Sequence, residues 1–509
     1  MTRRRDLLGA ALALAALPAA LPGTARAGKD DDTLRIAWRD AVPDLDPYRN
    51  QLRTGFVLAH HVWDCLVDRD PETFQMRPLL AASWQQEDET TWRFTLRPDL
   101  RFHDGSPCGP EDVAYTVATA RDRAGVAVPG LYGWLAGAEP VDATQVRLKL
   151  REPFPAALDY LAAVLPILPR AYRERVGPEG FAQAPVGTGP YRVRPSDAPD
   201  RVLLERFDGY FPDGPKGRPA IARLAIRTVA DPLAELAALL ADRADWIWEV
   251  GPHAFAAIGQ APELQALSGG SMRLGYLSLD AAGRGGAGSP LTDLRVRQAI
   301  CHAIDRGAIA RRLAGVATRV PDAPCFPTQF GCDAGAAVRH AYDPAKARAL
   351  LAEAGHADGF ATQLVSYVLP EEGTAVRADL QAVGITAELV QLPTADALAR
   401  AEAGQAPLFL GSWGSYSIND VAAILPQFFG GGPLDYARDP EVQGLVARAG
   451  HSGDADVRRG LYGQAIRRIT AQAFWLPMHT YTATYGMTRA LNFRPSSDEL
   501  PRFYLASWK

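Results

Sequence analysis

Apolar and polar positions along the chain follow two different spacings, which predicts that strands and helices alternate. Residues 34–38 and 92–96 have the spacing of strands, and residues 407–410 form a short apolar run typical of a buried strand. A turn rich in proline and aspartate at residues 43–47 ends the first of these strands. Short strands bounded by turns in this way predict sheet structure.

Helical spacing, with apolar residues three and four apart, recurs between these strands. It predicts helices over residues 55–66, 110–120, 294–303, 305–315 and 343–355. Thr292 or Asp293 is the expected N-cap of the third helix. In the last helix Asp343, Pro344 and Gly355 occupy the N-cap, first-turn and C-terminal positions where each residue type is favoured. Strands and helices mixed along the chain predict an α/β architecture.

The first 27 residues have the composition of a secretory signal. Three arginines at positions 3–5 precede an apolar stretch over residues 7–21, and Ala25 and Ala27 supply the small residues that a signal peptidase requires. The arginine pair also suits the twin-arginine export route, with an ordinary secretory signal as the alternative. We expect cleavage after Ala27 and a periplasmic location.

Composition and charge limit the partners of the chain. Of its 509 residues, 47% are hydrophobic and 22% are charged, which is typical of packed globular domains. A chain this long should form more than one lobe, because single cores stop growing at about 250–300 residues. The net charge of −4 gives no basic face, so we expect no nucleic-acid partner. We expect a monomer.

Cysteines and histidines predict no metal site. Cys325 and Cys332 bracket a short proline-containing loop and can pair in an oxidising compartment, with two free thiols as the alternative. His60 and His61 are adjacent, and neighbours along one element do not present both rings to a single ion. We therefore expect neither a metal nor a cofactor.

Several short motifs follow one another along the chain. They are RPLLAASW at residues 77–84, WRFTLR at 92–97, FHDGSP at 102–107, EDV at 111–113, PVGTGPY at 185–191, DLRVRQA at 293–299, AIDR at 303–306, YDPAKA at 342–347 and LLAEAG at 350–355. The glycines of PVGTGPY permit unusual backbone angles, but the lysine and following helix of a phosphate loop are missing. In this order the motifs resemble the family 5 extracellular solute-binding proteins, the dipeptide- and oligopeptide-binding components of ABC importers.

The resemblance implies a type II periplasmic binding protein with two α/β lobes, an inserted subdomain in the first lobe, and a ligand enclosed by hinge closure. It places the first lobe at residues 28–68, 186–274 and 481–509, the inserted subdomain at residues 69–185, and the second lobe at residues 275–480. Permease subunits of an importer are the implied protein partners.

The segment after the strand at 407–410 is the best candidate for contact with the ligand. It contains Trp413, Ser415, Tyr416, Asn419 and Asp420, a mixture of small, aromatic and charged residues at the carboxyl end of a strand. Ligands of α/β sheets bind at such ends. The resemblance implies an aspartate in this region that pairs with the α-ammonium of a peptide, although the usual motif is altered here.

Asp420 has two alternative roles. It can pair with a ligand ammonium, or it can be the N-cap of a helix that begins at Val421. Tyr48, Tyr132 and Trp134 are further candidates for ligand contact, with packing in the core or in loops as the alternative.

The sequence favours a binding protein that delivers a peptide or peptide-like solute to an importer. Opines, glutathione-like molecules and metal chelates are alternative solutes. A hydrolase is a further alternative, but no G-x-S-x-G, metal or paired-carboxylate motif supports it, and we therefore expect no enzymatic activity. A sensor or chaperone that shares the fold is the third class.

Overall fold

The computed structural model describes residues 28–313 and 318–509. The predicted signal at residues 1–27, and Gly315 at the predicted end of one helix, lie outside the described residues. The strands in the described part are β1 (Thr33–Trp38), β2 (Val67–Arg69), β3 (Met76–Pro78), β4 (Ala81–Asp88), β5 (Thr91–Leu96), β6 (Leu135–Pro140), β7 (Gln145–Leu150), β8 (Tyr191–Arg194), β9 (Arg201–Arg206), β10 (Arg223–Thr228), β11 (Trp246–Trp248), β12 (Leu264–Leu279), β13 (Phe360–Ser366), β14 (Ile385–Gln391), β15 (Leu408–Trp413), β16 (Trp475–Thr488), β17 (Leu491–Asn492) and β18 (Ser507–Trp508).

The helices in the same part of the chain alternate with these strands. They are α1 (Arg53–Val62), α2 (Pro110–Arg121), α3 (Ala157–Val164), α4 (Arg170–Gln183), α5 (Pro232–Leu240), α6 (Pro252–Gln260), α7 (Leu294–Ala303), α8 (Arg306–Leu313), α9 (Pro344–Glu353), α10 (Pro370–Gln381), α11 (Thr394–Glu402), α12 (Ile424–Phe429), α13 (Pro440–His451) and α14 (Ala455–Ala471).

Helix ends that depend on local caps lie where the sequence predicts them. Asp293 begins α7 and accepts a hydrogen bond from the backbone N–H of Arg295 at 2.8 Å. Asp343 caps α9 in the same way, and Gly355 follows that helix with a φ of 85°. Local side-chain and backbone chemistry therefore explains these boundaries.

The prediction of a helix over residues 55–66 is correct in type but wrong in its bounds, because α1 begins at Arg53 and ends at Val62. Beyond Val62 the chain is extended and lies against the PVGTGPY segment. A Cβ atom added at Gly187 would lie 2.0 Å from the carbonyl oxygen of Val62. Gly189 donates its backbone N–H to the same oxygen at 2.9 Å. The contact with the PVGTGPY segment therefore takes the place of the last turn of the predicted helix.

One ten-stranded sheet runs through the molecule, in the order β14-β13-β15-β12-β16-β11-β1-β10-β9-β8. The two long central strands, β12 and β16, are antiparallel neighbours. At one end β16 pairs with β11, which lies beside β1. At the other end β12 pairs with β15. The two strands therefore cross between two halves of the sheet.

The register of β12 and β16 shifts at the middle of this crossing. Gly270 pairs with Thr482 and Leu274 pairs with Thr480, so residues 271–273 lie opposite Tyr481 alone. Such a bulge twists the strand and turns side chains away from the regular ladder. The irregular stretch is called the crossover below: residues 270–274 of β12 and 480–482 of β16.

A separate antiparallel sheet has the strand order β4-β5-β7-β6. It lies within residues 69–185, together with α2, α3 and α4. Tyr48 and residues of these helices share one continuous buried core. The chain is thus a mixed α/β protein of the two-lobed type, with an additional small sheet.

Candidate ligand-binding site

Strand ends from both halves of the large sheet meet at the crossover. Trp248, the last residue of β11, pairs with Tyr485, and Trp413, the last residue of β15, pairs with Leu274. β1 and β13 run parallel to β11 and β15, so their carboxyl ends lie at the same place. Ligands of α/β sheets bind at such ends. The crossover is therefore the candidate ligand-binding site.

Two arginines share one carboxylate at the crossover. Arg53 and Arg273 each bring an Nη2 atom close to Oε2 of Glu499, at 2.9 Å and 3.0 Å. Burial alone raises the pKa of the Glu499 carboxyl, but the two guanidinium groups outweigh it and lower the pKa to about 2. Two positive charges and one negative charge leave an excess of one positive charge.

Arg273 is the exposed member of this group. Its side chain is 31% accessible, whereas that of Glu499 is 15% accessible. Within residues 28–313 and 318–509, the Nη1 atom of Arg273 makes no hydrogen bond. Arginine presents its donors as a planar fork that suits a carboxylate. Arg273 can therefore donate to an anionic group of a ligand.

The predicted ligand segment rests directly on this charged group. A Cβ atom added at Gly414 would lie 3.0 Å from Nη2 of Arg53 and 3.5 Å from Nη2 of Arg273. The next three residues have positive φ angles of 53°, 49° and 62°. Three such residues in succession, none of them glycine, store backbone strain. Strained backbone of this kind occurs at ligand sites more often than elsewhere.

Hydrogen bonds from the opposite half of the molecule hold this strained turn. Arg53 donates to the Oγ of Ser417 at 2.9 Å, and that hydroxyl donates to the carbonyl oxygen of Asp498 at 2.6 Å. Arg69 donates to the carbonyl oxygen of Ser417. The turn after β15 is therefore held by side chains from α1 and β2 and by the backbone of Asp498.

Aromatic side chains line the same place. Trp413 and Tyr416 are partly exposed and pack edge to face, with ring centroids 5.1 Å apart. No hydrogen bond in the described part of the chain uses the Tyr416 hydroxyl, and burial raises its pKa. The two rings offer an apolar wall to a ligand.

A carboxylate lies on the side of the crossover that belongs to β11. Glu249 directly follows β11, has a φ of 52°, and its side chain is 67% accessible. Surrounding protein raises the pKa of Glu249, and the negative charges of Glu499 and Asp40 raise it further. Arg39 approaches it only to 3.9 Å. Glu249 interacts electrostatically with Arg273 without forming a direct ion pair.

The prediction that Asp420 holds a ligand ammonium does not fit the structure. The carboxylate is buried, and its Oδ2 accepts a hydrogen bond from Arg458 at 2.7 Å. Its Oδ1 accepts the backbone N–H of Ala422 at 2.8 Å. The capping alternative is closer to the observed geometry, but α12 begins at Ile424 rather than at Val421. Both oxygens of Asp420 are therefore engaged inside the protein.

Two other residues of the predicted segment have buried polar atoms without a partner. Ser415 is buried, and its Oγ has no hydrogen-bond partner in the described residues. The Oδ1 atom of Asn419 is also buried and also has no hydrogen-bond partner there. Unpaired buried polar atoms are uncommon in folded proteins. Both atoms are candidates to receive hydrogen bonds from a ligand.

Tyr48, Tyr132 and Trp134 are core residues, so their prediction as ligand contacts is not supported. The hydroxyl of Tyr48 donates to the carbonyl oxygen of Pro166, and that of Tyr132 donates to Val164. The indole N–H of Trp134 donates to the carbonyl oxygen of Leu131. Each side chain is at most 8% exposed. Aromatic residues of this kind are buried with their polar atoms already satisfied.

Sequence reasoning missed the charged residues of the site. Arg273 interrupts an apolar strand, and Glu249 follows directly after Trp-Ile-Trp, so each has a weak signal in the local sequence. Arg53 and Glu499 have no such signal, because their role depends on a contact between residues more than 400 positions apart.

No group of three or more potential metal ligands occurs in the described residues. None of the described helices is long and apolar enough to cross a membrane.

Comparisons with known proteins agree with the fold. The family model for bacterial extracellular solute-binding proteins, family 5 (middle), matches residues 75–435. The glutathione-binding protein GsiB of Salmonella typhimurium is 28% identical over 493 residues, covering 92% of this chain and 92% of that protein.

Two solved structures show the same fold. NikA from Brucella suis in complex with Fe(III)-EDTA has a TM-score of 0.82 at 23% identity, covering 94% of this chain and all of NikA. The periplasmic binding protein DppA from Helicobacter pylori, in complex with the peptide STSA, has a TM-score of 0.79 at 20% identity. That match covers 94% of this chain and 98% of DppA.

Proposed function

Because the chain belongs to the family 5 bacterial extracellular solute-binding proteins of ABC importers, we propose that it captures a zwitterionic peptide-like solute at the crossover. One observation carries the proposal. A partly exposed arginine whose Nη1 makes no hydrogen bond within the described residues, and an exposed glutamate that Arg39 approaches only to 3.9 Å, adjoin the same strand ends as an aromatic wall. The names of relatives that bind glutathione or peptides support this solute class.

Each charged end of such a solute has a complementary side chain. Arg273 donates to a carboxylate, and Glu249 accepts from an ammonium group. Trp413 and Tyr416 pack against the apolar part of the solute between them. In a closed, poorly hydrated site these charge-assisted hydrogen bonds are stronger than in water. An amino-acid end that carries both charges satisfies both side chains at once.

We propose that the lobes divide at the crossover, with residues 28–68, 186–274 and 481–509 in the first lobe and residues 275–480 in the second. Residues 69–185 form the inserted subdomain. Strands β12 and β16 then act as the hinge, and the turn at residues 415–417 closes against Arg53 and Arg69. A permease recognises the closed form, and the protein acts as a monomer.

Binding without chemical change is the first testable consequence. A solute present at about 100 times its dissociation constant should stabilise the fold by about 2.7 kcal/mol and raise the melting temperature. Native mass spectrometry of protein isolated from its own host should reveal the solute, and the same mass should be recovered after release. Protein-dependent turnover of that solute, abolished by a substitution at the crossover, contradicts a binding function.

We infer that the mature protein begins at Gly28 and is periplasmic. The Arg4→Lys/Arg5→Lys double variant should accumulate as uncleaved precursor in the cytoplasm, because the twin-arginine route requires the arginine pair. Immunoblots of cell fractions measure this, and N-terminal sequencing locates the cleavage site. Undiminished export of the double variant instead assigns the signal to the general secretory route.

A further inference from the structure

A disulfide closes a loop that lies directly behind the ligand segment. Cys325 and Cys332 are bonded in the structure, and the six residues between them contain no helix or strand. This segment, residues 325–332, is called the disulfide loop below. Residues 413–421 are called the ligand turn.

Backbone hydrogen bonds join the loop to the turn. Phe330 donates its N–H to the carbonyl oxygen of Asn419 at 2.9 Å, and Val421 donates its N–H to Phe330 at 3.0 Å. These two bonds form an isolated parallel bridge between Phe330 and Asp420. The loop therefore pairs with the end of the ligand turn in the way that a neighbouring strand would.

A buried glutamine adds a third connection. Gln329 is 3% exposed, and its Nε2 donates to the carbonyl oxygen of Ile418 at 3.0 Å. Its Oε1 accepts the backbone N–H of Phe326 at 3.0 Å, within the same loop. One side chain thus fixes the shape of the loop and holds the turn immediately after the strained residues.

The ion pair of Asp420 belongs to the same support. Arg458 of α14 binds the carboxylate of Asp420 at 2.7 Å, and its guanidinium lies over the ring of Phe330 at 4.5 Å. Gly331, with a φ of 81°, leaves no space for a side chain, since a Cβ atom there would lie 2.9 Å from Val421. Loop, turn and α14 therefore pack as one unit.

From these contacts we propose that the Cys325–Cys332 disulfide is a positioning element for the ligand site. The disulfide restricts the loop, and the loop holds residues 418–421 so that the strained turn at 415–417 keeps its shape. Loss of the disulfide then loosens the ligand turn and weakens solute capture. The effect on capture rests on the proposed function, whereas the effect on the turn does not.

Hydrogen exchange of the solute-free protein tests the positioning directly. Amides of residues 413–421 should exchange at least 10-fold faster in the Cys325→Ser/Cys332→Ser variant than in the parent protein. Amides of β1 and β10, in the other half of the sheet, should exchange at unchanged rates. Peptides are analysed by mass spectrometry after quenching, with no solute added.

Two further variants separate positioning from general stability. Gln329→Met keeps the disulfide and side-chain volume but removes the bond to Ile418, so it should accelerate exchange in the same residues. Asp343→Ala removes the N-cap of α9, which lowers stability without touching the loop. It should leave exchange of the ligand turn at the parent rate. Equal exchange of residues 413–421 in the cysteine variant and the parent, or equal acceleration throughout the protein, overturns the proposal.

Discussion

Replacing Glu249 with glutamine is expected to weaken binding of an amine-bearing solute by about 30-fold or more, a loss of about 2 kcal/mol. The Glu249 carboxylate is exposed and interacts electrostatically with Arg273. In the glutamine variant, the ammonium group of the solute has no counter-charge from this residue in the closed site. Stability should not fall, because the Glu249 side chain is 67% accessible and Arg39 approaches it only to 3.9 Å. Isothermal titration and thermal unfolding measure the two quantities on the same sample.

The pH dependence of solute affinity is a second test of the role of Glu249. Only ionised Glu249 pairs with an ammonium, so affinity should fall as the pH is lowered through its pKa. Because that pKa is raised, the fall should occur at a higher pH than for an ordinary glutamate. The Glu249→Gln variant should lose this pH dependence while retaining its weaker binding.

Two controls make the result specific. Glu402→Gln removes an exposed carboxylate from α11, away from the crossover, and should change neither affinity nor its pH dependence. An N-acetylated solute lacks the ammonium and should bind the parent and Glu249→Gln proteins equally. If the unmodified solute also binds both proteins equally, the ammonium is held by another residue.

Replacing Asp498 with asparagine is expected to lower the free energy of unfolding by about 3–5 kcal/mol. The carboxylate is completely buried and binds Arg502 at 2.7 Å and Arg69 at 3.2 Å. Ser496 also donates to it at 2.7 Å. The substitution removes the carboxylate that pairs with buried Arg502 and one of the two carboxylates that pair with buried Arg69, the other being Asp159 at 3.3 Å, which accounts for the large effect. Chemical denaturation followed by tryptophan fluorescence measures it.

The pH dependence of this loss has a defined sign. Burial alone raises the pKa of Asp498, but Arg502 and Arg69 outweigh it and hold the pKa well below its ordinary value. The carboxylate therefore stabilises the fold above its unfolded pKa of about 3.9, and this contribution is lost as the pH falls through the lower folded pKa. The parent and variant should converge in stability only in strong acid.

An exposed ion pair provides the comparison. Asp208 pairs with Arg218 at 2.7 Å, but both side chains are more than 60% accessible. Asp208→Asn should leave the unfolding midpoint unchanged, because solvent screens such pairs. An equally small effect of Asp498→Asn is the result that contradicts its role as the counter-charge of two buried arginines.

The sequence alone determined the features that depend on short stretches of chain. Asp293 and Asp343 cap helices through backbone groups two or three residues away, so their residue types predict the observed starts of α7 and α9. The order of motifs predicts the family, because the motifs record positions where turns and core packing restrict the residue type. The apolar run at residues 407–410 likewise predicted a buried strand, and β15 lies there.

Only the tertiary structure decided which charges meet. The sequence left Asp420 open to a ligand ammonium or to an N-cap role, but in the fold Arg458 forms an ion pair with its carboxylate. Arg53, Arg273 and Glu499 come from three distant parts of the chain and meet where β12 shifts its register at the crossover. A sequence pattern records whether a side chain is buried or polar, through the period of its strand or helix. It does not record the partner, because electrostatic contacts depend on distance in space and not on separation along the chain.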